Sequence, residues 1–219
     1  MTPTGFLELI EHGGVVMYPL LVCSVVSLAV IVERLWSLRR TTAGSRRLQR
    51  VALEALDEGG VTDALAVCRR DDSPLAAVYR AVLTGTEKDA DARTRIAQRK
   101  LAEAARGLKR FIWLLGTIGS LAPFIGLFGT VLGIIRSFEN MAAAGSGGFA
   151  VVAGGISEAL IATAGGLLVG VLSIFAYNAF IVRINNHAAV LREWADEFLM
   201  QLTAPAAREG SHPRVAQSR

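Results

Sequence analysis

Glu158 is the only acid in an apolar run from about Val151 to Val182, and two hydroxyls, Thr130 and Thr163, lie in equally apolar surroundings on either side of a short link. A carboxylate facing lipid is expensive, so Glu158 must face a protein interior or an aqueous cavity. Thr130 precedes the middle of the link by about as many residues as Thr163 follows it. In a symmetric antiparallel hairpin the two hydroxyls would share a depth, with Glu158 about 7.5 Å nearer the link than Thr163. Hydroxyls and one carboxylate can hydrogen-bond water or a partner's carboxyl group and so form an ion pathway. The same residues are also compatible with a structural role, in which both threonines bond to carbonyls one turn back and Glu158 only marks the helix entrance.

The elements that carry these residues are membrane spans. The chain has 219 residues, is 52% hydrophobic and only 19% charged, and has a mean hydropathy of +0.43. Its apolar residues are concentrated in three stretches: Val15 to Val32, Phe111 to Ile135, and Val151 to Val182. About 20 residues cross the hydrocarbon, so the second and third fit easily and the first is short. Residues 1–14 hold Glu8, Glu11 and His12 but no Lys or Arg, which leaves out the basic start of a cleavable signal peptide. From Arg34 to Arg110 there are 17 Lys plus Arg against 10 Asp plus Glu. Positive-inside bias then places residues 1–14 outside, spans at 15–33, 111–136 and 151–182, a cytoplasmic helical region at 34–110 and an external hairpin at 137–150. A cytoplasmic helix at 183–203 and a disordered tail at 204–219 complete the chain. The fold class is an all-α membrane protein with long cytoplasmic helical extensions.

Within 41–110 the pattern predicts no separate domain with a convincing core. Arg47 to Glu58 reads as a helix ended by Gly59-Gly60, Thr62 caps a short one through Cys68, and Ser73-Pro74 starts another to about Leu83. From Glu87 onward the chain should run directly into the second span. Val190, Leu191, Trp194, Phe198 and Leu202 form a stripe that should pack on that long helix.

The composition excludes several classes. Two separated cysteines exclude a disulfide scaffold, and His12, His187 and His212 are too far apart in this topology for a metal site. No cofactor fingerprint or catalytic motif is present, so the chain reads as a non-enzyme that needs no cofactor. The arginine clusters read as topological anchors rather than a nucleic-acid surface. Glycines dominate the last two spans. Gly129-x-x-x-Gly133 and Gly166-x-x-x-Gly170 allow close backbone approach, and Pro123 removes a backbone donor within span two. Three spans are few to enclose a water pathway, which implies an obligate assembly.

Gly126-Leu-Phe-Gly-Thr-Val-Leu-Gly-Ile134 and Gly155-Ile-Ser-Glu-Ala-Leu-Ile-Ala-Thr-Ala-Gly-Gly-Leu167, followed by Tyr177-Asn178, resemble the second- and third-span signatures of the MotA/TolQ/ExbB proton-channel family. The resemblance extends from about Gly14 to Leu202, with the cytoplasmic loop similar in layout more than in wording. It implies a proton-channel subunit of a motor in the inner membrane of a Gram-negative-type bacterium. The implied assembly is a ring of five copies around two copies of a single-span ExbD/TolR-like partner bearing a transmembrane aspartate, with a possible periplasm-spanning effector beyond. Thr130 and Thr163 would be pore-facing hydroxyls beside that aspartate, and Glu158 the acid nearer the periplasmic entrance. The work done would be outer-membrane transport or envelope maintenance, with a gliding or secretion motor or a passive glycine-faced scaffold as alternatives. Similar proteins commonly carry proline where this chain has Gly154.

Overall fold

The computed structural model describes residues 13–85, 89–144 and 149–203, and every regular element among them is an α-helix. The order is α1 Met17–Arg69, α2 Pro74–Thr84, α3 Ala90–Leu108, α4 Ile112–Ala144 and α5 Phe149–Thr203. The expected tail at 204–219, the centre of the hairpin, His12 and His212 lie outside the described residues. The helices fall into two compact units, one drawn from Met1–Ser37 and Lys109–Ile184, the other from Leu38–Leu108 and Asn185–Arg219.

The first unit contains the apolar parts of α1, α4 and α5, each long and apolar enough to cross a membrane. Its interior is small: Val16, Leu20, Ile118 and Ala122, with Met17, Cys23, Val26, Ile125, Leu132 and Val169 packed around them. Large side chains point outward instead, among them Val25, Phe124, Phe128, Leu168 and Phe175. That is the reverse of a soluble domain. Lipid gives apolar side chains no reason to turn inward, and small residues do the packing. Ser27 and Ser173, both buried, satisfy one another across α1 and α5 with their hydroxyls 2.9 Å apart. Of the arginines following the first span, Arg34 is buried and ion-paired with Glu33.

The second unit corrects the expectation that residues 41–110 lack a core. Leu48, Ala52, Ala64 and Cys68 of α1, Leu75, Val78, Tyr79 and Val82 of α2, Ala97 and Leu101 of α3, and Leu191, Ala195, Phe198 and Leu199 of α5 form one buried cluster. The core escapes a local reading because α5 supplies a quarter of it from far along the chain. The C-terminal stripe reaches α3, as expected, yet its stacked ring partner is on α2. Tyr79 and Phe198 lie with ring centroids 4.0 Å apart. His187 is buried in this unit.

Local signals account for the shorter elements. Ser73 Oγ accepts from Ala76 N at 3.3 Å, with Pro74 at the first helical position. Arg80 Nη1 donates to Cys68 O and to Asp71 O, each at 3.0 Å, and so satisfies carbonyls where α1 ends. Gly60 takes φ 70°, ψ −158°, a conformation open essentially to glycine alone. Helix resumes at once after it, so Gly59-Gly60 bends the helix here rather than ending it. The expected direct run into span two is also corrected. Chain 109–111 interrupts the helix, with Phe111 at φ 62° and Arg110 4.5 Å over its ring. Gly107 lies just before that break, in the last turn of α3. Gly154 lies within α5, so helix extends upstream of it to Phe149.

Burial pushes the Cys68 thiol up to about 11, and the opposing pull of Arg80 is the smaller effect. The raised value means that the buried neutral thiol stabilises the fold below the ordinary thiol range. That contribution is lost as pH rises toward 11. At pH 8 the native protein should therefore leave Cys68 unlabelled by maleimide and label it after unfolding, read by peptide mass spectrometry; prompt native labelling would contradict the buried placement.

Candidate functional site: the α4–α5 crossing

α4 and α5 meet along bare backbone. A Cβ built on Gly126 would lie 3.0 Å from both Ala162 O and Thr163 Cα. One on Gly129 would lie 2.9 Å from the Ala162 methyl, and one on Gly133 2.7 Å from the Ala159 methyl. From the other side, a Cβ on Gly166 would lie 2.6 Å from Ala122 O and 2.9 Å from Gly126 Cα, and one on Gly170 2.8 Å from the Pro123 ring. The five contacts define an antiparallel register. Pro123 stays within the continuous α4 while its ring fills the space that Gly170 leaves.

That register carries the polar residues. Gly129 faces Ala162, and Thr130 and Thr163 each sit one residue further along in opposite directions, so their levels differ by roughly 3 Å. Thr163 Oγ1 donates across the crossing to Gly126 O at 2.9 Å. Thr130 Oγ1 donates to Leu127 O of its own helix at 2.6 Å. The structure thus ties Thr163 to α4 and Thr130 only to its own turn. Glu158 is one turn closer to the hairpin than Ala162, and Arg136 Nη1 lies 3.5 Å from its Oε1. The chain entering α1 touches the same carboxylate at Gly14.

Ala162 and Gly165 are small residues of α5. Both seat helices: Ala162 receives Gly129 of α4, and Gly165 faces Met17 and Leu20 of α1. An apolar cleft of about 420 Å³ between α1 and α5 includes Gly165, Leu168 and Ser173, and its walls do not include Thr130, Glu158 or Thr163. The three polar residues of the crossing therefore stand apart from this cleft. Among the described residues no group of three or more His, Cys, Asp or Glu could hold a metal ion.

Two residues that the motifs do not single out, Arg136 at the end of the second span and Ser137 after it, belong to this site. Ser137 Oγ donates to Gly133 O at 2.7 Å and occupies the place where a Cβ on Gly155 would stand. The hairpin register itself, counted outward from the link, was the signal that pairs this turn of α4 with the turn holding Glu158.

Residues 70–193, which include the whole crossing, match the MotA/TolQ/ExbB proton channel family. The biopolymer transport protein ExbB of Salmonella typhimurium is 42% identical over 103 residues, covering 47% of this chain and 42% of that protein. The Tol-Pal system protein TolQ of Pseudomonas aeruginosa is 46% identical over 84 residues, 38% of this chain and 36% of that one. The aligned stretch thus spans less than half the length of either relative. ExbB of Neisseria meningitidis serogroup A aligns more broadly, at 32% identity over 173 residues, 73% of this chain and 77% of that protein. With its glycine-seated crossing inside the matched region and three membrane-length apolar helices, the chain belongs to the MotA/TolQ/ExbB proton channel family.

Proposed function

We propose that this chain is the channel-forming subunit of an inner-membrane motor that turns proton motive force into mechanical work through a single-span partner. Five copies form a ring around two partner helices, each with a membrane-embedded aspartate, and the work serves outer-membrane transport or envelope maintenance. Residues 1–14 and the hairpin lie on the periplasmic side, and residues 34–110 and 183–203 in the cytoplasm. Family membership makes the chain a non-catalytic subunit. The observation that carries the rest is the α4–α5 pair itself: two threonines at nearly one level, one carboxylate beyond them, and too few spans to enclose a pathway alone.

The hydrogen bonds give the mechanism a direction. A threonine hydroxyl has one proton to donate and two lone pairs. Thr163 spends its proton on Gly126 O and Thr130 on Leu127 O, so toward a partner both groups can only accept. An acceptor welcomes a protonated carboxyl and repels a carboxylate. The threonine level therefore favours the neutral form of the partner aspartate, the form able to pass an apolar surface. One proton moving through 100 mV releases about 2.3 kcal/mol from the electrical term alone, enough to bias a bistable arrangement of inner helices without a nucleotide.

The complex should co-purify with a single-span protein carrying that aspartate. Thr163→Ala should retain assembly, because a cross-helix hydrogen bond in a membrane averages only about 0.6 kcal/mol. Proton-coupled work in reconstituted vesicles should nevertheless fall roughly tenfold, the rate equivalent of one lost hydrogen bond of about 1.4 kcal/mol, while Thr163→Ser keeps most of it. Full work by the alanine variant would count against the assigned role. The intrahelical bond of Thr130 also suits a passive scaffold, which predicts that Glu158→Ala and both threonine changes are tolerated wherever packing survives.

A further inference from the structure

We propose that Arg136 is the counter-ion that holds the Glu158 carboxylate, so that a cation passing this level must first open the pair. The inference rests on the ion-pathway reading of Glu158 given above and adds what regulates that residue. Two elements meet the carboxylate, and the packing of its own helix holds it between them. From α4, Arg136 Nη1 stands 3.5 Å from Oε1. Ahead of α1, Gly14 adopts φ 69°, and any side chain there would collide with the Glu158 carboxylate. Beneath both, α5 is clamped to α4 by Gly133 against Ala159 and by Ser137 against Gly155. The residue next to Ser137 is thereby carried to the acid, so the pairing follows from backbone register rather than from a chance reach of two long side chains.

The surroundings make it a gate rather than a sealed tie. The two side chains remain 50% and 36% exposed, so a competing ion can reach them. Residues 13–16, entering α1, carry no titratable side chain; on α4 the acid Glu139 stands one turn from Arg136, and Arg136 is the group at ion-pair distance from Glu158. A proton that binds forms an O–H bond on the carboxylate and removes its negative charge. The guanidinium keeps its own protons and swings free as a cation. Arg136 acts through Glu158 and is a positioning residue, with no proton passing through it.

The test uses the complex as it co-purifies, reconstituted in vesicles, with two readouts: proton flux under an imposed potential and the melting temperature. R136Q should change flux at least threefold, R136K should stay near wild type, and R136Q should add nothing once E158Q is present. Melting shifts of R136Q and E158Q should likewise be non-additive. An equal effect of R136Q in both backgrounds overturns the proposal, as does a non-additive melting cycle with unchanged flux, which would leave a purely structural tie. If the wild-type complex moves no protons, the pathway reading fails. The melting cycle then still decides the pair, and additive shifts overturn it.

Discussion

Gly166→Leu should separate α4 from α5 and leave little folded protein in detergent. Even a single added carbon at this position meets Ala122 O at 2.6 Å and Gly126 Cα at 2.9 Å. Both are backbone atoms of a continuous helix, so they cannot rotate aside as a side chain tip would. Overpacking a compliant site costs about 1–3 kcal/mol, and this site is less compliant, so the loss should exceed about 3 kcal/mol. At roughly 2–4 °C per kcal/mol for a chain of this size, melting should fall by about 6–12 °C or more. Gly154→Ala is the internal control. Nothing lies within 4 Å of a Cβ there, and the position is helical. Alanine should be neutral or stabilise by up to about 1 kcal/mol. A leucine variant that melts with the wild type would mean that the two helices do not cross as described.

The second large effect belongs to the other unit. Tyr79 is 1% exposed, its ring stacks on Phe198, and its hydroxyl donates to Gln49 Oε1, with Trp194 O 3.1 Å away as the alternative acceptor for the same proton. Gln49 in turn donates to Glu197 at 2.8 Å. Burial pushes the phenol well above its ordinary range, so it stays a donor wherever the protein is folded. Tyr79→Ala should destabilise this unit by about 3–5 kcal/mol through the cavity alone. Tyr79→Phe keeps the ring stack and removes only the donor, leaving the Gln49 oxygen without its partner, for about 1–3 kcal/mol. Hydrogen exchange of α2 amides and proteolysis in residues 70–73 would report both. Equal protection in all three proteins would deny Tyr79 its central place.

What the sequence made legible follows the range of each interaction. Ser73-Pro74 announces a helix start with its own atoms, and the start is where that pair places it. The glycine pattern of the two later spans is likewise short-range, because a helix repeats every few residues and the register follows from the hairpin. The core of the second unit was not legible. Leu48 and Tyr79 bury themselves against Leu191 and Phe198, and nothing near residue 48 reveals that a stripe more than a hundred residues later will cover it. The expected long helix breaks at Phe111, and Gly107 in the last turn of α3 is the local sign that the sequence offered. Gly14 could be read only as a flexible residue until the Glu158 carboxylate was seen in the space its missing side chain leaves.

The Ser27–Ser173 pair has a mechanical consequence. Each hydroxyl answers the other inside an otherwise oily seam, so neither needs water so long as they remain face to face. Advancing α1 by one residue of azimuth, about 100°, would turn Ser27 toward the acyl chains and strand both groups at once. Sliding apolar neighbours past each other carries no such penalty. The two serines therefore act as an index pin that favours one azimuth of the first span, by an amount on the order of 0.6 kcal/mol.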